Sequence, residues 1–169
     1  MTPQEAKTIG DFLIADLKSE IPTTVRVIES APADKLDYQP DAKSATGLGL
    51  VRHLVAVDTW FLNTIADGAF TKGPDPCEIS APAQAASAYK EQVGAALDRV
   101  SALSDEKLAA EIDFFGMMKL PAVNLVGMMI KHSVHHRGQL SAYLRAMGGK
   151  VPGIYGPSGD SEETEAAAG

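Results

Sequence analysis

Cysteine is nearly absent from this sequence, since Cys77 is the only one in 169 residues. A single thiol cannot form an intrachain disulfide, so the fold must be stable without covalent cross-links. Long apolar runs are also absent, because no segment reaches the roughly 18 residues that a membrane-spanning helix needs. The first residues lack the basic and then apolar pattern of a signal peptide. We therefore expect a cytoplasmic protein that does not bind membranes.

Basic clusters are missing as well. The chain has 15 lysines and arginines against 22 aspartates and glutamates, for a formal net charge of -7. A protein that binds the phosphate backbone of nucleic acids usually presents a basic face, so nucleic acid is excluded as a main partner. The sequence also lacks a phosphate-binding loop, a dinucleotide-binding fingerprint and a nucleophile elbow. The expected partner is a small molecule.

Helical periodicity dominates the remaining pattern. On this basis we predict four helices, over residues 2–30, 45–66, 82–103 and 121–147. Pro22 lies inside the first of them and predicts a kink or a break there. No segment shows sustained strand-like alternation, although residues 112–118 are apolar and too short to classify. Four amphipathic helices in one short chain predict an all-α fold, a four-helix bundle.

The chain is long enough for one domain with its own core, and we place that domain at residues 1–157. Residues 158–169 are acidic at first and then small, a composition typical of disordered segments. We therefore predict a single domain followed by a disordered C-terminal tail.

Three of the four histidines lie within one short stretch of the last predicted helix. His132 and His136 are four residues apart, which places their side chains one above the other on the same helix face. This is the spacing by which one helix offers two imidazole nitrogens to one metal ion. His135 lies about 60° from His132 around the helix and about 100° from His136, so it is a poorer candidate ligand.

The fourth histidine, His53, lies on the apolar side of the second predicted helix. Helix bundles build metal sites from side chains on facing helices, so His53 is a natural third ligand beside His132 and His136. Three imidazoles leave coordination positions free for water or substrate, which is typical of catalytic rather than structural metal sites. One alternative stays open, because a histidine on an apolar helix face is also commonly a hydrogen-bonded core residue.

Four other polar residues lie close to these histidines in the predicted helices. Gln139 and Tyr143 continue the metal-facing side by one and two turns, so each can orient a ligand or a water, or fill the end of the bundle. Asp58 falls about 140° from His53 around its helix, which predicts a position in solvent and leaves no carboxylate near the histidines. Arg137 points away from the metal-facing side and is expected in a salt bridge or an interface.

The same residues carry a family resemblance. The segments that carry it are HSVHHRGQ at 132–139, the residues from 143 to 158, LDYQP at 36–40, and VRHL at 51–54 followed by Trp60. Over residues 3–160 the chain resembles the DinB/YfiT-like family. The most specific part is the pattern His-x-x-x-His-Arg-Gly-Gln with a histidine upstream.

This resemblance implies a four-helix bundle in which His53, His132 and His136 hold one divalent metal ion. Zinc and nickel are both typical of such proteins, and homodimers are frequent among them. Described members include isomerases and transferases that use low-molecular-weight thiols. The resemblance therefore implies a small-molecule substrate and a thiol cosubstrate.

Our first hypothesis is a metal-dependent enzyme, a thiol-dependent transferase or isomerase, with hydrolysis as the runner-up chemistry. A metal with open positions can lower the pKa of a bound water or thiol and polarise a carbonyl, so no protein nucleophile is needed. The alternative from another class is a non-catalytic metal-binding or stress-response protein. A third possibility is a bundle with core histidines that acts through a dimer face.

Overall fold

A computed structural model describes residues 1–161, and most of them are helical. The helices are α1 (Pro3–Glu29), α2 (Gly47–Asp67), α3 (Pro82–Ala88), α4 (Gly94–Ser101), α5 (Asp105–Ala109) and α6 (Ala122–Leu144). A π-helical turn, Tyr89–Val93, joins α3 directly to α4, and a short 3₁₀ turn, Ala33–Lys35, follows α1. All four predicted helical segments are present, the third as the continuous run of α3, the π-helical turn and α4.

Helix α1 is one continuous helix although it contains Pro22. Its start is fixed by a capping box, in which Thr2 and Glu5 each accept a hydrogen bond from the other's backbone N–H group. Pro22 lies on the exposed side of the helix, so water can solvate the carbonyl of Lys18, which has no intrahelical N–H partner. Of the two predicted outcomes at Pro22, the break is therefore wrong, and the kink stays a prediction.

One β-hairpin interrupts the helical architecture, and the all-α prediction missed it. Strand β1 (Glu111–Phe114) pairs antiparallel with strand β2 (Met118–Pro121), and Ile112 lies opposite Leu120. Each strand has only four residues, so neither is long enough to show a period of two in the sequence. The fold is mostly helical with a small hairpin between α5 and α6.

The turn of this hairpin is held against α2 by aromatic packing. Phe115 and Gly116 have positive φ values of 52° and 73°, which glycine adopts readily and phenylalanine rarely does. The ring of Phe115 stacks on that of Trp60 with 14° between the ring planes. Phe70 and Phe114 pack around the same pair. This packing offsets the strain at Phe115 and anchors the hairpin beside α2.

The core lies between α1, α2, α6 and the run from α3 to α4. Helix α6 packs against both α2 and α1, and the run from α3 to α4 packs against the same two helices. The fully buried apolar side chains include Leu17, Leu54, Leu62, Leu125, Met129 and Leu140. Helices α2 and α6 are therefore neighbours, which brings the predicted ligands onto adjacent helices. Among residues 1–161, no helix is both long and apolar enough to cross a membrane.

Arg137 is a buried cation on α6, directly after His136. Its guanidinium donates to the carboxylate of Glu20 and to the hydroxyl groups of Thr24 and Tyr155. Glu20 and Thr24 belong to α1, and Tyr155 follows α6, so Arg137 ties three parts of the chain together. The predicted salt bridge of Arg137 is present, and it fixes the rotation of α6 next to His136.

The packed structure continues past residue 157. Ser158 donates to the carbonyl of Val151, and the carboxylate of Asp160 accepts from the backbone N–H of Val151 at 2.8 Å and from Arg145 at 3.0 Å. The remainder of the predicted tail, residues 162–169, lies outside the described residues. The division of the chain into a domain and a tail stays a prediction.

Arg137→Met should lower the free energy of unfolding by about 3–5 kcal/mol, because it leaves the largely buried Glu20 carboxylate without its cation. The double variant Glu20→Met/Arg137→Met removes both charges and should recover most of that loss. Urea unfolding followed by circular dichroism measures both values. An equal loss of unfolding free energy in the single and the double variant would contradict this prediction, because removing the second charge would then recover no stability.

Candidate metal centre

Three histidines converge between α2 and α6. The Nε2 atoms of His53 and His132 are 2.9 Å apart, and the ring of His136 lies 4.2 Å from that of His53, centroid to centroid. One ring nitrogen from each of the three lies within 4.8 Å of the other two. His135 is exposed and does not belong to this cluster. The structure therefore brings together the three residues that the sequence predicted as ligands.

The environment of the cluster keeps the imidazoles of His53 and His136 neutral. Burial, followed by the neighbouring His136 and His132, lowers the pKa of His53 to about 4, against the charge of Asp58, which raises it. Burial also lowers the pKa of His136, against a hydrogen bond to Gln139 that raises it. Only a neutral imidazole has a nitrogen lone pair free for a metal ion. At neutral pH, His53 and His136 are thus in the form that can act as ligands.

Asp58 is buried beside the histidines, and its predicted position in solvent is wrong. Its Oδ1 atom lies 3.0 Å from Nδ1 of His132, and its Oδ2 atom accepts from the hydroxyl of Tyr89 at 2.8 Å. Asp58 lies about 140° from His53 around α2, and that side of the helix faces the space between α6 and the π-helical turn. Because α2 is buried on more than one side, a residue away from the His53 side is buried as well. The predicted absence of a carboxylate near the histidines is therefore also wrong.

The hydrogen bonds of Asp58 continue to Tyr89 and from there to Ser133. Neither residue was predicted from the sequence to lie at the site. Burial, followed by the charge of Asp58, raises the pKa of Tyr89 well above its ordinary value, so the phenol keeps its proton. That one proton is donated to Asp58, so the hydroxyl of Ser133, 3.0 Å away, donates to the oxygen of Tyr89. A tyrosine in an apolar helix stripe signals that its hydroxyl needs a partner, but the sequence does not name that partner.

Gln139 and Tyr143 lie in different surroundings. The side-chain oxygen of Gln139 accepts from Nδ1 of His136 at 3.2 Å, so Gln139 contacts a predicted ligand. Tyr143 instead packs edge-on against Tyr38, with 5.4 Å between ring centroids. Their roles toward a bound molecule stay predictions.

A family model described as the DinB family matches residues 10–166. This chain belongs to the DinB family. The match includes all three histidines, Asp58 and Tyr89, so the network around the cluster lies within the family domain.

Two proteins of Bacillus subtilis (strain 168) are similar in sequence. YjoA is 28% identical over 142 residues, which cover 80% of this chain and 89% of YjoA. YrdA is 42% identical over 55 residues, and that match spans about a third of YrdA, 32% of its length. Both are named only as uncharacterized proteins, so neither name supplies an activity.

Two crystal structures of DinB-like proteins are similar in fold. The structure of YjoA from Bacillus subtilis has a TM-score of 0.69 and 25% identity, and the match covers 86% of this chain and 97% of that one. The structure of a protein from Bacillus cereus ATCC 10987 has a TM-score of 0.69 and 24% identity, over 85% and 95% of the two chains. The second match shows the fold alone.

The histidines of this family member fit a divalent metal ion. A carboxylate and an amide oxygen can only accept, so the Nδ1 atoms of His132 and His136 donate to Asp58 and Gln139. Their Nε2 atoms then carry lone pairs, the tautomer that metal-bound histidines commonly have. The 2.9 Å between Nε2 of His53 and His132 is close to the separation of about 3.3 Å expected for two nitrogens of a tetrahedral zinc site.

A separate cleft of about 640 Å³ lies between α2, α3 and the loop that joins them. Its walls include Trp60, Cys77 and Gln84, and none of the three clustered histidines. In residues 1–161, the histidine cluster is the only group of three or more potential metal ligands whose donor atoms converge. We therefore place the candidate centre at the histidines and not in the cleft.

The stability of the metal-free protein should fall as the pH drops from about 6.5 to about 4. In this window the unfolded chain binds a proton at His53 and the folded chain does not, so the free energy of unfolding rises with pH. His53→Gln should remove this part of the pH dependence. Urea unfolding at several pH values in the presence of a chelator measures it, with His135→Gln as the control for losing an imidazole outside the cluster. An unchanged profile in His53→Gln would contradict the assignment.

Proposed function

We propose that this chain is a metal-dependent enzyme whose divalent metal ion is held by His53, His132 and His136. The observation that carries the proposal is the convergence of three imidazole nitrogens from two neighbouring helices. Zinc and nickel are the proposed ions, since imidazole suits both of them. We further propose the four-helix bundle of this family, a homodimer and a cytoplasmic location.

The proposed reaction is a transfer or an isomerisation that uses a low-molecular-weight thiol, with hydrolysis as the runner-up. A bound divalent metal supplies Lewis acidity, which lowers the pKa of a thiol or water. The chain itself holds the ligand rings, because Asp58 and Gln139 accept from His132 and His136 on the side away from the cluster. The side chain of His132 remains 22% exposed, so a small molecule can reach the cluster.

A second candidate function is supported by the position of the cleft. A non-catalytic metal-binding protein of the stress response needs the three ligands but no substrate cavity beside them. The cleft of about 640 Å³ lies apart from the histidines, as this function would allow. The two functions share the metal site and differ only in turnover.

Protein purified without an affinity tag should contain about one divalent metal ion per chain, because three imidazoles of one chain supply the ligands. The double variant His132→Ala/His136→Ala should contain none, and His135→Ala, on the same helix but outside the cluster, should keep the metal. Elemental analysis measures all three proteins. A metal-free wild type, even after reconstitution with zinc and with nickel, would show that the histidines are core residues.

The metal-loaded protein should accelerate the reaction of a small electrophile with a low-molecular-weight thiol. His53→Ala removes one ligand and should reduce this rate to the uncatalysed background. The assay follows a chromogenic electrophile with a panel of thiols that differ in size and charge, and His135→Ala serves as the control. Metal-loaded wild type that never exceeds the background rate would favour the non-catalytic function.

A further inference from the structure

Asp58 is a fully buried carboxylate whose one ion-pair contact is with a histidine, His132. It makes no ion pair with a lysine or an arginine anywhere in residues 1–161, since its charged-group contact is with His132. The buried guanidinium of Arg137 pairs with Glu20 instead. Removing a carboxylate from water is unfavourable unless a positive charge or good hydrogen bonds offset the loss of hydration. At Asp58 the two hydrogen bonds come from His132 and Tyr89, and no lysine or arginine in residues 1–161 adds a permanent positive charge.

His132 stands between this carboxylate and the centre of the cluster. Its Nδ1 atom faces Asp58 at 3.0 Å, and its Nε2 atom faces His53 at 2.9 Å. A cation held by the cluster would therefore lie across one imidazole ring from the buried carboxylate. A carboxylate that accepts from a ligand's N–H also raises the basicity of the ligand.

We propose that Asp58 is a positioning residue whose buried negative charge raises the affinity of the three-histidine cluster for a divalent cation, acting through His132. This inference rests on the proposed metal site. It assigns a role in metal binding to Asp58 of α2, which is not itself one of the proposed ligands. The carboxyl group is buried in the metal-free fold, so a metal ion at the cluster would bring positive charge to within one imidazole ring of it.

The π-helical turn holds Asp58 in this position. Tyr89 is the first residue of the turn, and its buried hydroxyl donates to Oδ2 of Asp58. Ser133, the residue after His132, donates to the same hydroxyl. Turns of this kind are rare and often occur at functional sites. The contacts join α2, α6 and the π-helical turn around the side of His132 that faces away from the cluster.

The variant Asp58→Asn removes the charge of the side chain and keeps its shape. The asparagine oxygen can still accept from Nδ1 of His132, and its amide can donate to the oxygen of Tyr89. The proton of Tyr89 then turns to Ser133, so every hydrogen bond is kept while the charge is lost. The metal-free variant should be as stable as the wild type or more stable, and its affinity for metal should fall. A purely structural role would instead lower the stability and leave the affinity unchanged.

The test measures the dissociation constant for Zn²⁺ by competition with a chromophoric chelator. Asp58→Asn should raise this constant by about 10–100-fold. Asp67→Asn removes the same charge from an exposed position at the end of α2 and should leave the constant unchanged. The thermal midpoint of chelator-treated Asp58→Asn should equal or exceed that of the wild type. An unchanged constant, or a lowered midpoint, would overturn the inference.

Tyr89→Phe provides a second, independent variant. It keeps the charge of Asp58 and removes one donor to the carboxylate, so zinc binding should not weaken. If Tyr89→Phe weakens zinc binding as much as Asp58→Asn does, the network supports packing and the charge of Asp58 has no special role. Failure of the wild type to bind Zn²⁺ at all would instead overturn the proposed metal site, so the two failures are distinguishable.

Discussion

The hydrogen bond between His132 and the buried carboxylate of Asp58 is the interaction on which the candidate centre depends. It fixes which nitrogen of His132 faces the cluster, and it places a negative charge one ring away from the three converging imidazoles. A buried carboxylate without a lysine or arginine partner is unfavourable in a packed core, so its presence there needs a physical reason. The divalent cation that we propose at the histidines would supply one, because it would offset the buried charge.

Helix α6 shows the same pattern at two successive turns, where a histidine of the cluster is followed by a buried polar residue. His132 and His136 face α2, and the residue after each of them points into the core and is held there. Ser133 donates to Tyr89, and Arg137 pairs with Glu20 on α1. Because these two anchors lie one turn apart, the helix cannot rotate without breaking both. The rings of the candidate ligands are thereby oriented by polar contacts of the residue that follows each of them on the same helix.

The three histidines could be predicted from sequence because two of them show helical spacing and the third lies on an apolar helix face. Asp58 could not be placed in this way, since α2 is buried on a second side that only the packing of α6 and the π-helical turn creates. The β-hairpin was missed because four-residue strands are too short to show a pattern. A break, one of the two outcomes predicted at Pro22, did not occur, since that residue faces solvent, where water can replace the missing hydrogen bond.

X-ray absorption at the metal edge of the zinc-loaded protein tests the central claim most directly. The account predicts a first shell of light atoms at about 2.0–2.1 Å, with the multiple-scattering signature of three imidazole rings. His53→Ala should show two rings in place of three. A spectrum of the wild type with fewer than three imidazoles, or with sulfur at about 2.3 Å, would contradict the account.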